Sequence, residues 1–427
     1  MKTVGLDFGT HQTKICIENK NRTETHYNFH RFVDLNGELQ YTLPSIICIT
    51  PDRKLKYGFV ENIPGGIYKR YFKQAVYRDT NSPGMTLWEA ARYSIWYLAY
   101  ILFELKSVYG KEDFNIQMGA PSDSNGIDDR KAIAVSIMAS AYKLVEDVFR
   151  NDRKAFLQSS YEDLVKLTDI VPYSEKIKKV YGIWVFPEAY ACLMPLVGRG
   201  KIAHGMNLVV DIGGGTTDIS FFTIEEKGVN SKQYYPQVYD FFSLNKGLNY
   251  LTEANKSNHM DILEMIQFFS EKEIDKHRLE IYVNDIQHYC NDLINEIIKH
   301  WKLGVPEPVA NLLRFLKNRP IVYTGGGSSI RELQSPHEPF VEQKIISYDT
   351  WKSKEFDDKS IFENPSLCQV LSTAYGLSIS VSNDTIEKKP LKDLFDEIKK
   401  AYERRYKEEQ MKSYDNFDYS LNYDAWK

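Results

Sequence analysis

Five cysteines are all the chain has, and none sits in a C-x-x-C pair: Cys16, Cys48, Cys192, Cys290 and Cys368 are odd in number and widely scattered. That pattern argues against a disulfide framework or a zinc site and fits a reducing cytoplasm. An excess of charge of one sign is also missing. The 54 Lys and Arg residues stand against 58 Asp and Glu, a net of −4, so neither nucleic acid nor an anionic membrane surface is expected as a partner. The longest apolar run, Tyr93 to Phe103, is too short to span a bilayer. The first residues lack a charged region followed by an apolar one, so no signal peptide or membrane anchor is expected. No G-x-x-x-x-G-K-[ST], H-E-x-x-H or G-x-S-x-G segment occurs. The anchor residues of P-loop nucleotidases, zinc metalloproteases and α/β-hydrolases are therefore lacking.

What is present suffices for real cores: 427 residues, 43% of them hydrophobic and 13% aromatic, enough for two or three domains. VGLDFGTHQTKICI, from Val4 to Ile17, alternates apolar and polar residues around a Gly-Thr turn and predicts a β-hairpin. Ser45 to Thr50 is the next strand candidate, and Thr86 to about Tyr109 has helical apolar spacing. The same grammar returns at NLVVDIGGG and TTDISFFTI from Asn207, with Tyr235 to Leu244 as a third strand. At an offset of 204 positions Asp7 falls on Asp211, Gly9 on Gly213, Thr13 on Thr217 and Ile15 on Ile219. Four matches inside one strand-turn-strand context predict two similar lobes with a ligand cleft between them.

The turns carry chemistry. Gly213, Gly214 and Gly215 have no side chains, so their N–H groups can cradle phosphate oxygens. Thr216 adds a hydroxyl, and Asp211 and Asp218 can orient water around a magnesium ion. Asp7, Gly9 and Thr10 offer the same parts from the other lobe. A third glycine cluster, PIVYTGGGSSI from Pro320 to Ile330, reads as a strand entering a turn suited to a nucleoside or phosphate.

Together these segments resemble the nucleotide-site motifs of the actin-like ATPases, and within that superfamily most resemble the ATPase domain of DnaK-type 70-kilodalton heat-shock chaperones. VGLDFGTHQTKI is similar to the first phosphate motif, FPEAYACLMPL to the first connecting motif, VVDIGGGTTDIS to the second phosphate motif, IVYTGGGSSI to the adenosine motif and LSTAYGLSIS to the second connecting motif. The resemblance covers most of residues 1–382. It implies an α/β, ribonuclease H-like fold of two lobes, each built on a β-β-β-α-β-α-β-α core. Lobe I would take residues 1–196 and 366–385 with a helical insertion near 150–181, and lobe II residues 197–365 with a short cap near 255–280. It further implies ATP or ADP with magnesium as cofactors. Asp7 and Asp211 would hold the ion through water. The turn Gly9, Thr10, His11 and Gln12, facing Thr216 and its glycines, would hold the phosphates. Lys69, with Lys73 close by, would reach the γ-phosphate, and Glu188 would position the attacking water. Gly326, Gly327, Ser328 and Arg331 match the adenosine turn, where the arginine packs on the base.

The chain also departs from that family. Gln12 stands where DnaK-type proteins usually carry an aromatic residue and Lys14 where they carry a small one, so phosphate contacts there are expected to differ. Residues 386–427 read as an amphipathic helix with the stripe Leu391, Leu394, Phe395, Ile398 and Tyr402, followed by an aromatic and acidic tail whose composition suits a segment disordered on its own. The 45 residues after Ser382 are too few for a peptide-holding sandwich and lid. The expectation is thus a cytoplasmic, nucleotide-driven switch that acts on an unidentified protein partner. A filament-forming bacterial actin of the MreB or ParM kind is the alternative, and self-association stays open.

Overall fold

A computed structural model describes residues 2–21, 24–77, 85–110, 114–121, 127–197, 202, 206–226, 234–252, 260–271, 274–317, 319–334, 342–345, 351, 353–379 and 390–421. The chain is a mixed α/β protein. Its principal strands are β1 (Lys2–Phe8), β2 (Gln12–Lys20), β3 (Thr25–Phe29), β4 (Phe114–Ala120) and β5 (Ile183–Pro187), then β6 (Asn207–Ile212), β7 (Thr217–Glu226), β8 (Tyr234–Leu244), β9 (Pro320–Thr324) and β10 (Glu342–Ile345). The helices that bear on the site are α1 (Phe72–Val76), α2 (Leu87–Tyr109), α3 (Ile127–Lys143), α4 (Glu188–Leu193), α5 (Leu248–Thr252), α6 (Ile262–Glu271), α7 (Lys276–Gly304), α8 (Pro365–Ser378) and α9 (Leu391–Leu421).

Two sheets share one plan. The first runs β5-β4-β1-β2-β3 and the second β10-β9-β6-β7-β8. In the first, β1 pairs parallel with β4 and antiparallel with β2; in the second, β6 pairs parallel with β9 and antiparallel with β7. Both central strands are buried along nearly their whole length, as strands covered on two faces are. Helix α2 covers the first sheet with α3 and is buried along most of its length. Thr86 and Glu89 start it with a reciprocal capping box. Long α7 packs the second core through Tyr282, Ile286, Cys290, Leu293 and Ile297.

Helices α4 and α8 lie in a third core that draws on both sheets, with Cys16 and Tyr27 from the first and Val209, Phe222 and Val322 from the second. Residues Leu367 to Ser378 of α8 are all buried. Its backbone runs against β1 and α4 at glycines: a Cβ on Gly5 would fall 2.3 Å from the Ala374 carbonyl oxygen, and one on Gly376 only 1.7 Å from that of Ala191. Side chains there would force the elements apart.

The third strand of the first sheet is β3, whereas Ile47–Ile49 belongs to a separate small sheet with Leu55–Tyr57 and Ile67–Lys69. The more polar β3, five residues long against three, pairs along β2. The polar stretch after Arg150 forms three short helices, Arg153–Gln158, Tyr161–Leu167 and Glu175–Val180. The C-terminal segment is helical through Leu421, beyond the predicted stripe; no Gly or Pro interrupts residues 391–421. The last six residues of the predicted tail lie outside the described residues, as do positions 380–385 of the predicted first lobe. Among the described residues no helix is long and apolar enough to cross a membrane.

Candidate functional site

The first turn joins β1 to β2. A Cβ on Gly9 would sit 2.2 Å from the Gln12 carbonyl oxygen, so only glycine fits. The turn is tied down from behind: the Ser45 hydroxyl donates to the Gly9 carbonyl at 2.7 Å and the Ser45 N–H to that of His11 at 3.0 Å. Buried Tyr97 of α2 fixes the same segment by donating to the Pro44 carbonyl at 2.9 Å.

The second turn joins β6 to β7. The Gly213 N–H closes it on the Thr216 carbonyl at 2.8 Å, while Leu248 and Asn249 of α5 donate to the carbonyls of Gly213 and Gly214 at 3.1 and 2.9 Å. Across a trans peptide, N–H and C=O point in opposite directions. The N–H groups of Gly214 and Gly215 are therefore aimed away from α5. A Cβ on Gly214 would meet His11 at 2.9 Å and one on Gly215 would meet Thr10 at 2.8 Å, so the two turns face each other directly.

Between them lies a cleft lined by Asp7, Glu188, Asp211 and Asp218, with Lys14 and Lys73 as its cations. Lys14 Nζ donates to Asp7 Oδ2 at 2.8 Å, and the Lys73 ammonium pairs with Glu188. Burial works against the Lys73 charge, but Glu188, Asp7 and Asp218 more than offset it and its pKa stands above the ordinary lysine value. Asp211 is pushed up to about 8 by burial and by the charges of Asp218, Asp7 and Glu188. Four carboxyl groups thus face two ammonium groups across the cleft. Among the described residues no group of three acidic, histidine or cysteine side chains could hold a metal directly. Asp7, Asp211 and Asp218 all line the cleft without forming such a group.

The third glycine turn follows β9. Gly325, at a φ of 78°, packs so closely that a Cβ would fall 2.3 Å from Asp211 Oδ1. Gly326 lines the cleft beside Ile262 and Val370. Gly327 is backed by Ile212 and Ser328 is buried with its hydroxyl on the Gly325 carbonyl; both shape the turn from beneath. Arg331 lies on a neighbouring hollow of about 690 Å³, shared with Leu263, Glu264, Gln267 and Asn364. Cleft and hollow meet at the start of α6, where Ile262 faces one and Leu263 the other.

Most predicted site residues thus line the cleft, whereas Lys69, Gly327, Ser328 and Arg331 do not. Lys69 Nζ lies over the Tyr93 ring, 5.6 Å from its centroid, and does not line the cleft. The lysines that line the cleft are Lys14 and Lys73, the latter on α1 and four positions beyond Lys69, which ends a short strand. Sequence reasoning also missed Gln369, Val370 and Thr373 of α8 as lining residues, and a set of contacts that joins the first turn to α6. His11 Nε2 bonds the Met260 carbonyl at 2.7 Å. The Gln12 amide donates to Asp261, its carbonyl oxygen accepts from the Ile262 N–H at 3.2 Å, and Thr42 donates to the same Asp261 carboxylate at 2.7 Å. Asp261 meanwhile accepts from the Leu263 N–H at 2.7 Å and so caps α6. No local signal could reveal partners some 250 positions apart. With this latch shut the cleft holds about 60 Å³ of free space, well below the ~300 Å³ at which ligand pockets begin. The chain matches no protein-family model and no curated protein.

Proposed function

We propose that the chain is a magnesium-dependent ATPase of the two-lobed actin-like fold, nearest in its motifs to the ATPase domain of DnaK-type chaperones. It acts as a nucleotide-driven switch read by a protein partner. The observation that carries this reading is the facing pair of Asp-x-Gly turns, set on two sheets of like strand order, with four carboxylates and a buried lysine between them.

Phosphoryl transfer to water asks a protein for positioning and charge neutralisation rather than covalent chemistry. The N–H groups of Gly214 and Gly215 and the hydroxyls of Thr10 and Thr216 take phosphate oxygens. Magnesium, when bound, neutralises phosphate charge, and Asp7, Asp211 and Asp218 would hold it through water. Glu188, paired with Lys73, accepts a hydrogen bond from water and orients it, while Lys73 balances negative charge in the cleft. The base occupies the hollow beside α6, where the planar Arg331 guanidinium packs on its face. Because the latched cleft is too small for a triphosphate, binding must release Gln12 from Asp261, and this opening is the movement a partner would read.

The test is titration calorimetry with ATP, with and without magnesium, alongside small-angle scattering. The reading expects magnesium-dependent binding, a change in solution shape, and turnover lost in Lys73→Ala while Lys69→Ala keeps it. Equal losses in the two variants would return the γ-phosphate role to Lys69; growth of large scatterers with ATP would favour a filament subunit.

A further inference from the structure

We propose that Tyr71 and Asn249 form a positioning pair that seats Lys73 among the cleft carboxylates only while the two glycine turns face each other. Tyr71 has φ 59° and ψ 17°, a left-handed conformation that costs a bulky residue free energy and that proteins retain chiefly where the strain has a use. Elsewhere among the described residues positive φ outside glycine falls on Arg53, Arg150 and Asn151, none of which lines the cleft. Tyr71 immediately precedes α1, so its backbone sets the direction in which that short helix departs. Lys73 lies on the first turn of α1, 4% exposed and paired with Glu188.

The strained residue is held from across the cleft. Asn249 Nδ2 donates to the Tyr71 hydroxyl at 3.1 Å, and the Asn249 N–H donates to the Gly214 carbonyl at 2.9 Å. A single residue of α5 therefore grips the second glycine turn with its backbone and the α1 entry with its side chain. When the halves separate, Tyr71 loses the partner that offsets its strain, and the seating of Lys73 weakens with it. Tyr71 itself does not touch the cleft; it acts through Lys73. The coupling stands whatever the cleft binds, and only its effect on turnover rests on the proposed ATPase activity.

The test uses the full chain and the variants Tyr71→Phe and Asn249→Ala. Lysines are acylated by an amine-reactive ester without nucleotide and read residue by residue by mass spectrometry, with Lys69 as internal reference. Loss of one hydrogen bond should raise the Lys73-to-Lys69 labelling ratio about fivefold in each variant, and the double variant should exceed neither single one because the two groups act as a unit. A ratio unchanged in both variants overturns the inference. With ATP turning over, the same variants should lower kcat and leave KM for ATP in place; a rise in KM alone would also contradict a positioning role. If the natural chain fails to bind ATP while the labelling ratio responds as expected, the pair stands and the ATPase reading falls.

Discussion

Asp211 shares its cleft with Asp7, Glu188 and Asp218, and burial with these neighbours lifts its pKa to about 8. The folded chain therefore holds a proton that the unfolded chain releases above about pH 4, and this group's contribution to stability falls as pH rises from there to about 8. His11 and His30 act in the opposite sense. Burial depresses both to about 4, so the unfolded chain binds their protons first and stability falls as pH drops below about 6.5. The unfolding midpoint in urea should accordingly peak near pH 6.5 when metal is absent, and Asp211→Asn should flatten the alkaline side of that peak. A curve still falling toward pH 8 in the variant would assign the loss to another group. Cation binding should also displace the Asp211 proton. Calorimetry at pH 7 in two buffers of different ionisation enthalpy should report release of about one proton, and equal heats would mean that Asp211 is already ionised.

Among the elements, α6 depends on the first turn for its seat. Gln12 is almost fully buried and satisfies both the Asp261 carboxylate and the Ile262 N–H. Gln12→Ala should cost about 1–3 kcal/mol, the range for leaving buried polar groups unpaired. It should also speed hydrogen exchange of the Ile262 and Leu263 amides; protection there equal to that of the natural chain would show that the latch does not hold α6. Legibility from sequence divides along the same line. The glycine turns and their aspartates were readable because the demand for a residue without a side chain is local and is written in consecutive positions. The helix from Thr86 was readable because its apolar residues recur at helical spacing, and the capping box of Thr86 with Glu89 starts it there. The choice between Lys69 and Lys73 was not readable, since it turns on the left-handed backbone of Tyr71, which no neighbouring residue announces. Likewise Ile47–Ile49 is the more apolar segment, yet it is β3, with Thr25, His26 and Asn28, that pairs along β2, a choice made by tertiary context. The latch joins residues 249 and 250 positions apart and left no trace in local pattern.

At the scale of the molecule, the two sheets are joined through buried α4 and α8. Their closest approach, at Gly376 and the Ala191 carbonyl, leaves no room for a methyl group. Gly376→Ala should destabilise the chain by about 3 kcal/mol, the upper end of ordinary overpacking, and a melting temperature unchanged from that of the natural chain would show that the crossing yields freely. The reading of the whole molecule rests on what the facing turns hold. The measurement that tests it most directly is ATP binding and hydrolysis by the purified full chain with and without magnesium, beside Asp211→Ala. The account predicts binding that requires magnesium and slow hydrolysis, with turnover about 10²-fold lower or undetectable in the variant. No binding of ATP by the natural chain, or a variant that binds and hydrolyses as the natural chain does, would contradict it.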